Sequence, residues 1–215
     1  MLREVTSNEI FTILIMIGLI AMTMAKTIYA NRFNEFSAIL LNSKYLNIYA
    51  RDQKFFDWFD ALLFVNFIIS AAIFICICYN ALFTNLNLNP NVMLKIIFSI
   101  GAFLLIKVLF ERLLASIFNI DDVMDNYLFQ KTSYKNFFGI LLIPINAFLI
   151  YSITPSKTVI YIVLAILLSL VILGLTSSLK RYRSLIKSNL FYFILYLCTL
   201  EIAPYIILYK FVTMY

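Results

Sequence analysis

The sequence contains no histidine, only four glycines and three cysteines, and few charged residues for its length. Without histidine the chain lacks the usual ligand of haem and zinc and the commonest acid–base catalyst near neutral pH. The glycines are scattered singly, so there is no glycine-rich phosphate-binding loop, and neither HExxH nor GxSxG occurs. We therefore expect a protein that is not an enzyme and that holds no metal ion or other cofactor.

The three cysteines, Cys76, Cys78 and Cys198, all lie in apolar stretches. Cys76 and Cys78 are two residues apart and point in different directions on a helix, so they cannot form a local metal or redox pair. The cysteines are expected to pack in the protein interior.

Apolar residues make up 63% of the chain, and the mean hydropathy is +0.94. Soluble domains have roughly 45–50% apolar residues, so an ordinary soluble domain is excluded. The sequence predicts an all-α, polytopic membrane protein with a single integral membrane domain over residues 1–215. Its bundle has about six transmembrane helices, at about residues 10–25, 59–83, 92–118, 137–153, 158–178 and 189–214.

Residues 26–58 form a long polar and aromatic segment after the first span. Its repeated aromatic residues, interspersed with basic residues, predict helices that lie in the membrane interface. The segment is either a connector resting on lipid or a surface on which a partner docks. The residues expected to serve in docking are Phe33, Phe36, Phe55, Phe56 and Trp58.

Lysine and arginine are distributed unequally between the loops on the two sides of the membrane. With six spans, one side carries 12 of them, in residues 26–58, 112–136 and 179–188, and the other side carries 3. Basic loops stay in the cytoplasm, which places both termini in the periplasm of a bacterial inner membrane. The first span is expected to be an anchor and not a signal peptide, because Lys26 follows it directly.

Two polar segments are candidate binding sites. Asp121, Asp122 and Asp125 lack the glycine and glutamate of a calcium-binding EF-hand loop, so the sequence predicts a solvated loop. A basic surface precedes the last span, and beside a membrane such residues favour anionic lipid headgroups over nucleic acid. Its residues are Lys180, Arg181, Arg183 and Lys187.

The last span, residues 189–214, contains Glu201, Pro204 and Lys210. Glu201 lies about 18 Å along the helix, where an ionisable group is expected to face a partner. Pro204 lacks an N–H, which predicts a kink and a free backbone carbonyl at Leu200. Lys210 is expected to reach the outer surface.

The partners expected for Glu201 within the spans are Lys107, Asn146 and tyrosines. Glu111 is four residues from Lys107, shares its helix face and competes for it. Glu201 could be a proton or cation relay, or it could join helices or a second protein through hydrogen bonds. We favour the second role, because the outer half of the bundle offers few polar groups for a relay.

Several segments resemble a family of Bacteroidota inner-membrane proteins described only as a domain of unknown function. They are FFDWFDALLFVNF (55–67), FN (118–119) with Tyr127, NFFGILLIP (136–144) and LYLCTLEIAPYIILYK (195–210). The resemblance covers the chain from about Ser43 onward. The family's Glu, Pro and Lys pattern maps onto Glu201, Pro204 and Lys210, and it implies a topology but no activity.

The sequence therefore favours a non-enzymatic integral membrane subunit or scaffold of a larger inner-membrane complex. The expected partners are the lipid bilayer and other integral membrane proteins, with no nucleic acid and no metal. The resemblance suggests a secretion or protein-translocation assembly as the host. The alternative is a small proton- or cation-coupled transporter using Glu201. An enzyme would need a polar pocket near Asp121–Asp125 or Lys180–Lys187.

Overall fold

The computed structural model describes residues 9–40, 44–49, 57–82, 90–117, 121–152 and 156–181. These residues form seven α-helices and contain no β-strand. The fold is therefore all-helical over the described chain, as predicted. The helices are α1 (Glu9–Ile28), α2 (Ala30–Ser37), α3 (Lys44–Tyr49), α4 (Trp58–Leu82), α5 (Pro90–Ile117), α6 (Asp121–Tyr151) and α7 (Lys157–Arg181).

Four helices, α1, α4, α5 and α6, are long and apolar enough to cross a membrane. Their most apolar windows have mean hydropathies between 1.4 and 2.7, which makes this a membrane protein. Helix α7 runs for 25 residues, Lys157–Arg181, and its stretch Lys157–Leu170 is apolar. The predicted sixth span, 189–214, lies outside the described residues, so the count of six stays a prediction.

Helix α4 is the centre of the bundle and packs most extensively against α6 and α1. Two hydrogen bonds define the relative direction of α4 and α6. Asn136 Nδ2 donates to the Asp60 carbonyl, and Asn146 Nδ2 donates to the Ser70 carbonyl. The two residues of each bond are 76 residues apart in the sequence, so a step of ten residues along α6 corresponds to a step of ten residues in the same direction along α4. Helices α4 and α6 are therefore parallel, and their N-terminal ends lie at the same end of the bundle.

Helix α6 begins much earlier than the sequence predicted. We expected a solvated loop up to residue 136, whereas α6 starts at Asp121 and runs for 31 residues. At about 1.5 Å per residue its length is about 46 Å, well beyond a 30 Å hydrocarbon core. The physical reason is an apolar face that the charged residues concealed: Met124 and Leu128, four residues apart, are buried against Ala115 of α5.

Helices α2 and α3, together called the cap, pack against the N-terminal end of α4 and the middle part of α6. A cluster of buried aromatic side chains joins them, and its rings meet mainly edge to face. Phe36 lies at its centre, with ring centroids 5.3 Å from Tyr45, 5.7 Å from Phe59 and 6.1 Å from Phe137. The described part of segment 26–58 is thus packed against the bundle. Further along the bundle, a separate aliphatic core lies among α1, α4, α5, α6 and α7.

Candidate functional site

Arg32 of α2 is the polar centre of the cap. Its guanidinium donates to the carboxylates of Asp57 and of Asp60, the latter at 3.0 Å. It also lies 4.5 Å from the ring centroid of Phe59 and 4.8 Å from that of Tyr49. A planar, delocalised cation suits both the forked ion pairing and the stacking on rings. Arg32 therefore fastens the cap to the start of α4.

The surroundings of Arg32 keep its guanidinium charged and keep the hydroxyl of its neighbour Tyr45 neutral. Burial disfavours the guanidinium charge, but Tyr45, Asp60 and the hydrogen bond to Asp57 outweigh it and raise the pKa of Arg32 above its ordinary value. Burial, with the charge of Asp60, raises the pKa of Tyr45 well above the ordinary tyrosine value. The Tyr45 hydroxyl therefore stays neutral, and it accepts from Arg32 at 3.4 Å.

The aromatic residues expected to dock a partner lie in different places. Phe33 is 7% exposed and Phe36 is fully buried, so both rings belong to the interior of the cap. This corrects the expectation of an exposed aromatic surface at these two positions, because their helix turns them toward α4 and α6. Trp58 is 65% exposed. Phe55 and Phe56 lie outside the described residues.

Lys107 and Glu111 of α5 are both buried in the bundle, at 5% and 0% exposure. The Glu111 carboxylate accepts from Lys131 Nζ of α6 at 2.7 Å, through its Oε1 atom. The sequence predicts a solvated loop around Lys131 and therefore does not reveal this pairing. The contact joins α5 to α6 with two opposite charges in a poorly hydrated place, where loss of either partner is costly.

Asn146, which the sequence predicts as a polar contact inside the spans together with Lys107 and Glu111, is fully buried. It joins α6 to α4 by its hydrogen bond to the Ser70 carbonyl at 2.8 Å. Asn136 makes the equivalent bond to the Asp60 carbonyl at 3.3 Å, ten residues earlier on both helices. Two carboxamides on α6 thus fix its register against α4, one near the cap and one deep in the bundle.

Asn66 of α4 is a polar residue whose importance the sequence pattern does not indicate. It is fully buried, and neither carboxamide atom has a hydrogen-bond partner. A Cβ atom added to Gly18 of α1 would lie 3.0 Å from Asn66 Oδ1 and 3.7 Å from Ile143 Cδ1. The carboxamide therefore lies where α1, α4 and α6 meet.

Most of the site residues predicted near the C-terminal end of the chain lie outside the described residues. Glu201, Pro204 and Lys210 lie outside the described residues, as do Arg183 and Lys187. Lys180 and Arg181 form the end of α7. No contact of these residues therefore enters the site, and their roles stay predictions.

The described polar groups can hold helices together, and they do so in three places. Arg32 joins the cap to α4, the Glu111–Lys131 pair joins α5 to α6, and the two carboxamides join α6 to α4. Among the residues that the structure describes, no group of histidine, cysteine, aspartate or glutamate side chains has the arrangement of a metal site.

The family comparison covers almost the whole chain. Residues 11–212 match the family described as "Domain of unknown function (DUF4271)". Searches of curated proteins and of solved structures find no match. The matched range contains the cap, α4, α5, α6 and α7, and thus every polar contact described above. The chain belongs to the DUF4271 family of proteins, whose function the family description leaves open.

Proposed function

We propose that this chain is a non-enzymatic integral membrane subunit, or scaffold, of a larger membrane complex. The observation that carries the proposal is the cap, which Arg32 and the aromatic cluster hold in one shape at one end of the bundle. A surface of fixed shape costs little conformational entropy when a partner binds it. Three large apolar side chains are exposed on it or beside it, namely Trp58, Ile48 and Leu40, at 65%, 43% and 38%.

The polar contacts inside the bundle support the same proposal. Arg32, Glu111 and Asn146 each contact a group on a neighbouring helix and so hold helices in place. Such contacts give a membrane bundle a defined arrangement, and a hydrogen bond between membrane helices such as that of Asn146 is worth about 1 kcal/mol. A scaffold needs a defined arrangement more than it needs a reactive group.

The proposal includes a bacterial inner-membrane location with both termini in the periplasm, which puts the cap in the cytoplasm. The basic residues of segment 26–58 support this orientation. The resemblance to Bacteroidota proteins suggests a secretion or protein-translocation assembly as the host. Glu201 would then join the last helix to a neighbouring helix or to the partner, and Lys180–Lys187 would lie against anionic lipid headgroups.

Site-specific photo-crosslinking in cells tests the subunit proposal. A photoreactive phenylalanine analogue replaces Trp58 in one strain and Phe98, which is 78% exposed on α5, in the other. We expect a discrete protein adduct from position 58 and mainly lipid adducts from position 98. The crosslinked partner should also co-purify in stoichiometric amount with the chain after mild detergent extraction at native expression. An unaccompanied, monodisperse protein with no protein adduct at position 58 would contradict the proposal.

A proton- or cation-coupled transporter is the second candidate, and the buried ionisable groups favour it. Lys107, Glu111, Asn136 and Asn146 are all buried in the described bundle, and Glu111 pairs with Lys131. Buried ionisable residues in membrane helices often mark ion pathways. In this case Glu201 is the group that titrates.

Glu201 variants separate the two candidates. Glu201→Gln keeps the shape and hydrogen bonding of the side chain but cannot ionise, whereas Glu201→Leu removes both. If Glu201 joins helices or partners, Gln preserves assembly and Leu weakens it, as measured by co-purification. If Glu201 is a relay, Gln abolishes proton-coupled flux in reconstituted vesicles while assembly stays intact.

A further inference from the structure

Lys107 is a buried cation on α5, one helical turn from the ion pair between Glu111 and Lys131. Lys107 is 5% exposed and Glu111 is 0% exposed, and the carboxylate of Glu111 accepts from Lys131 at 2.7 Å. These three groups of α5 and α6 carry two positive charges and one negative charge. Because a net charge is costly in the hydrocarbon region, one further carboxylate near Lys107 would balance the group.

Lys107 lies at the edge of the buried face of α5. At about 100° per residue, the buried residues Glu111 and Leu104 lie on one side of Lys107, about 40° and 60° around the helix. Phe110, 56% exposed, lies about 60° around the helix on the other side. The most apolar window of α5 is 17% buried, against 50% in α4. A further helix can therefore pack beside Lys107 on the side of Phe110.

The directions of the described helices determine where the predicted last span begins. Helix α5 runs toward the cap, because Met93 near its start lies 3.5 Å, sulfur to sulfur, from Cys76 near the end of α4. Helix α7 also runs toward the cap, because it follows α6 after five residues and its Leu167 packs against the aliphatic core. Since α7 ends at Arg181 on the cap side, a span over 189–214 begins on that side and runs antiparallel to α5.

Depth in the membrane singles out Lys107 as the counterpart of Glu201. Lys107 lies ten residues, about 15 Å, before the end of α5 at Ile117. Glu201 lies twelve residues, about 18 Å, into the predicted span. The flexible four-carbon stem of lysine can bridge the difference of about 3 Å. Residues 182–188 extend for at most about 25 Å, which suffices to pass between helices that pack about 8–10 Å apart.

We propose that Glu201 pairs with Lys107, so that the last span, residues 189–214, packs antiparallel along α5 of the same chain. A lysine ammonium has three N–H donors, so it can serve this carboxylate in addition to other acceptors. The proposal rests on the proposed role of Glu201 in joining helices, and it names the group to which Glu201 is joined. It excludes the arrangement in which a partner protein supplies the counterpart of Glu201.

Photo-crosslinking at position 110 tests which neighbour lies beside Lys107 while both charges stay in place. The photoreactive phenylalanine analogue replaces Phe110, and Phe98, on the face of α5 opposite Lys107, is the control site. We expect position 110 to give an adduct within the same chain, mapped by mass spectrometry to residues 189–214, and position 98 to give mainly lipid adducts. An adduct with another protein at position 110, or lipid adducts alone, would overturn the pairing. Either result leaves the partner adduct expected at position 58 unaffected, so the subunit proposal is tested separately.

A double-mutant cycle measures the energetic coupling of the two charges. Lys107→Met, Glu201→Gln and the double variant are compared in reversible unfolding by SDS in mixed micelles. Once one charge of the pair is lost, loss of the other should change the unfolding constant about tenfold less than it does in the wild type. Lys95→Met paired with Glu201→Gln is the control and should be additive, because the exposed Lys95 lies about 33 Å from the cap end of α5. Additive effects in the 107–201 cycle, or equal coupling in both cycles, would contradict the pairing.

Discussion

At the scale of single residues, three glycines in the bundle differ in the space beside them. A Cβ atom at Gly139 would lie 2.6 Å from Phe67 Cα, which is backbone of the neighbouring helix. At Gly18 the nearest atom would be Asn66 Oδ1 at 3.0 Å, and at Gly101 it would be Ile68 Cδ1 at 3.4 Å. Only at Gly101 would the added Cβ atom make an ordinary van der Waals contact. The absence of a side chain at Gly139 lets α6 approach α4 closely, as small residues do in membrane bundles.

Alanine substitution at these glycines should therefore have graded effects. Gly139→Ala forces α4 and α6 apart and should cost about 1–3 kcal/mol of unfolding free energy. Gly18→Ala should cost less, because the Asn66 side chain can shift. Gly101→Ala is the matched control and should be neutral or stabilising by up to about 1 kcal/mol, since alanine favours helix. SDS unfolding of the three variants measures the order. Equal effects at positions 139 and 101 would show that the helices are not packed this closely.

The buried phenol of Tyr45 predicts that the folded protein loses stability at alkaline pH. Its pKa is raised in the folded protein above the ordinary value of 10.0, chiefly by burial. The unfolded chain therefore ionises first, and the stability that the neutral phenol contributes is complete below about pH 10 and is lost as the pH rises toward the folded value. Thermal unfolding of the purified protein between pH 8 and 11 should show this loss.

Tyr45→Phe is the matched control for the alkaline transition. It keeps the ring that packs on Phe36 and Phe129 but removes the ionisable hydroxyl. The difference in melting temperature between the wild type and this variant should shrink above pH 10. A constant difference from pH 8 to 11 would mean that the Tyr45 phenol is not shielded from water in the folded protein.

At the scale of elements, the cap is held by one strong ionic group and one weak ion pair. The Arg32 side chain is 14% exposed and pairs with two carboxylates, whereas the Lys44 side chain is 60% exposed in its pair with Glu35. Exposed pairs contribute little, because water screens them. Arg32 also stacks on two aromatic rings, so its removal leaves both carboxylates of α4's N-terminal end without their cation.

Arg32→Gln should therefore release the cap while leaving the membrane helices folded. We expect a loss of about 2–4 kcal/mol of local stability, against less than about 0.5 kcal/mol for Lys44→Gln. Hydrogen exchange of the amides in α2 and α3 reports on the cap, and the amides of α4 serve as the internal reference. Arg32→Lys should rescue only in part, because an ammonium cannot form the same fork and stack. Unchanged exchange in Arg32→Gln would show that the aromatic cluster alone closes the cap.

The elements also show what the sequence can and cannot predict. The bounds predicted for the second and third spans lie within two residues of those of α4 and α5, because both stretches are predominantly apolar over the length of a span. The first half of α6 was missed because its charged side chains obscured a narrow apolar face. The sequence predicts Lys107, Glu111 and Asn146 as polar contacts, because a polar residue within an apolar stretch can be recognised from its neighbours in the sequence. Arg32 cannot be recognised in this way, because its carboxylates lie 25 and 28 residues away in the sequence.

At the scale of the whole molecule, the parallel course of α4 and α6 constrains the topology. It places their N-terminal ends, Trp58 and Asp121, at the end of the bundle where the cap lies. The described residues of the cap and the start of α6 therefore lie at the same end of the bundle. We expect this end of the bundle to face the cytoplasm, since segments 26–58 and 112–136 hold 8 of the 17 lysines and arginines.

Cysteine accessibility measures the orientation of the molecule. In a background without its three natural cysteines, Lys44→Cys reports on the cap and Lys157→Cys reports on the start of α7; both positions are exposed. With the cap in the cytoplasm, a membrane-impermeant maleimide added to cells with a permeabilised outer membrane should label position 157 and not position 44. Position 44 should become labelled only after the inner membrane is opened. The reverse pattern would place the cap in the periplasm and invert the topology, but the helix packing would be unaffected, because the contacts among α1, α4 and α6 do not depend on which side the cap faces.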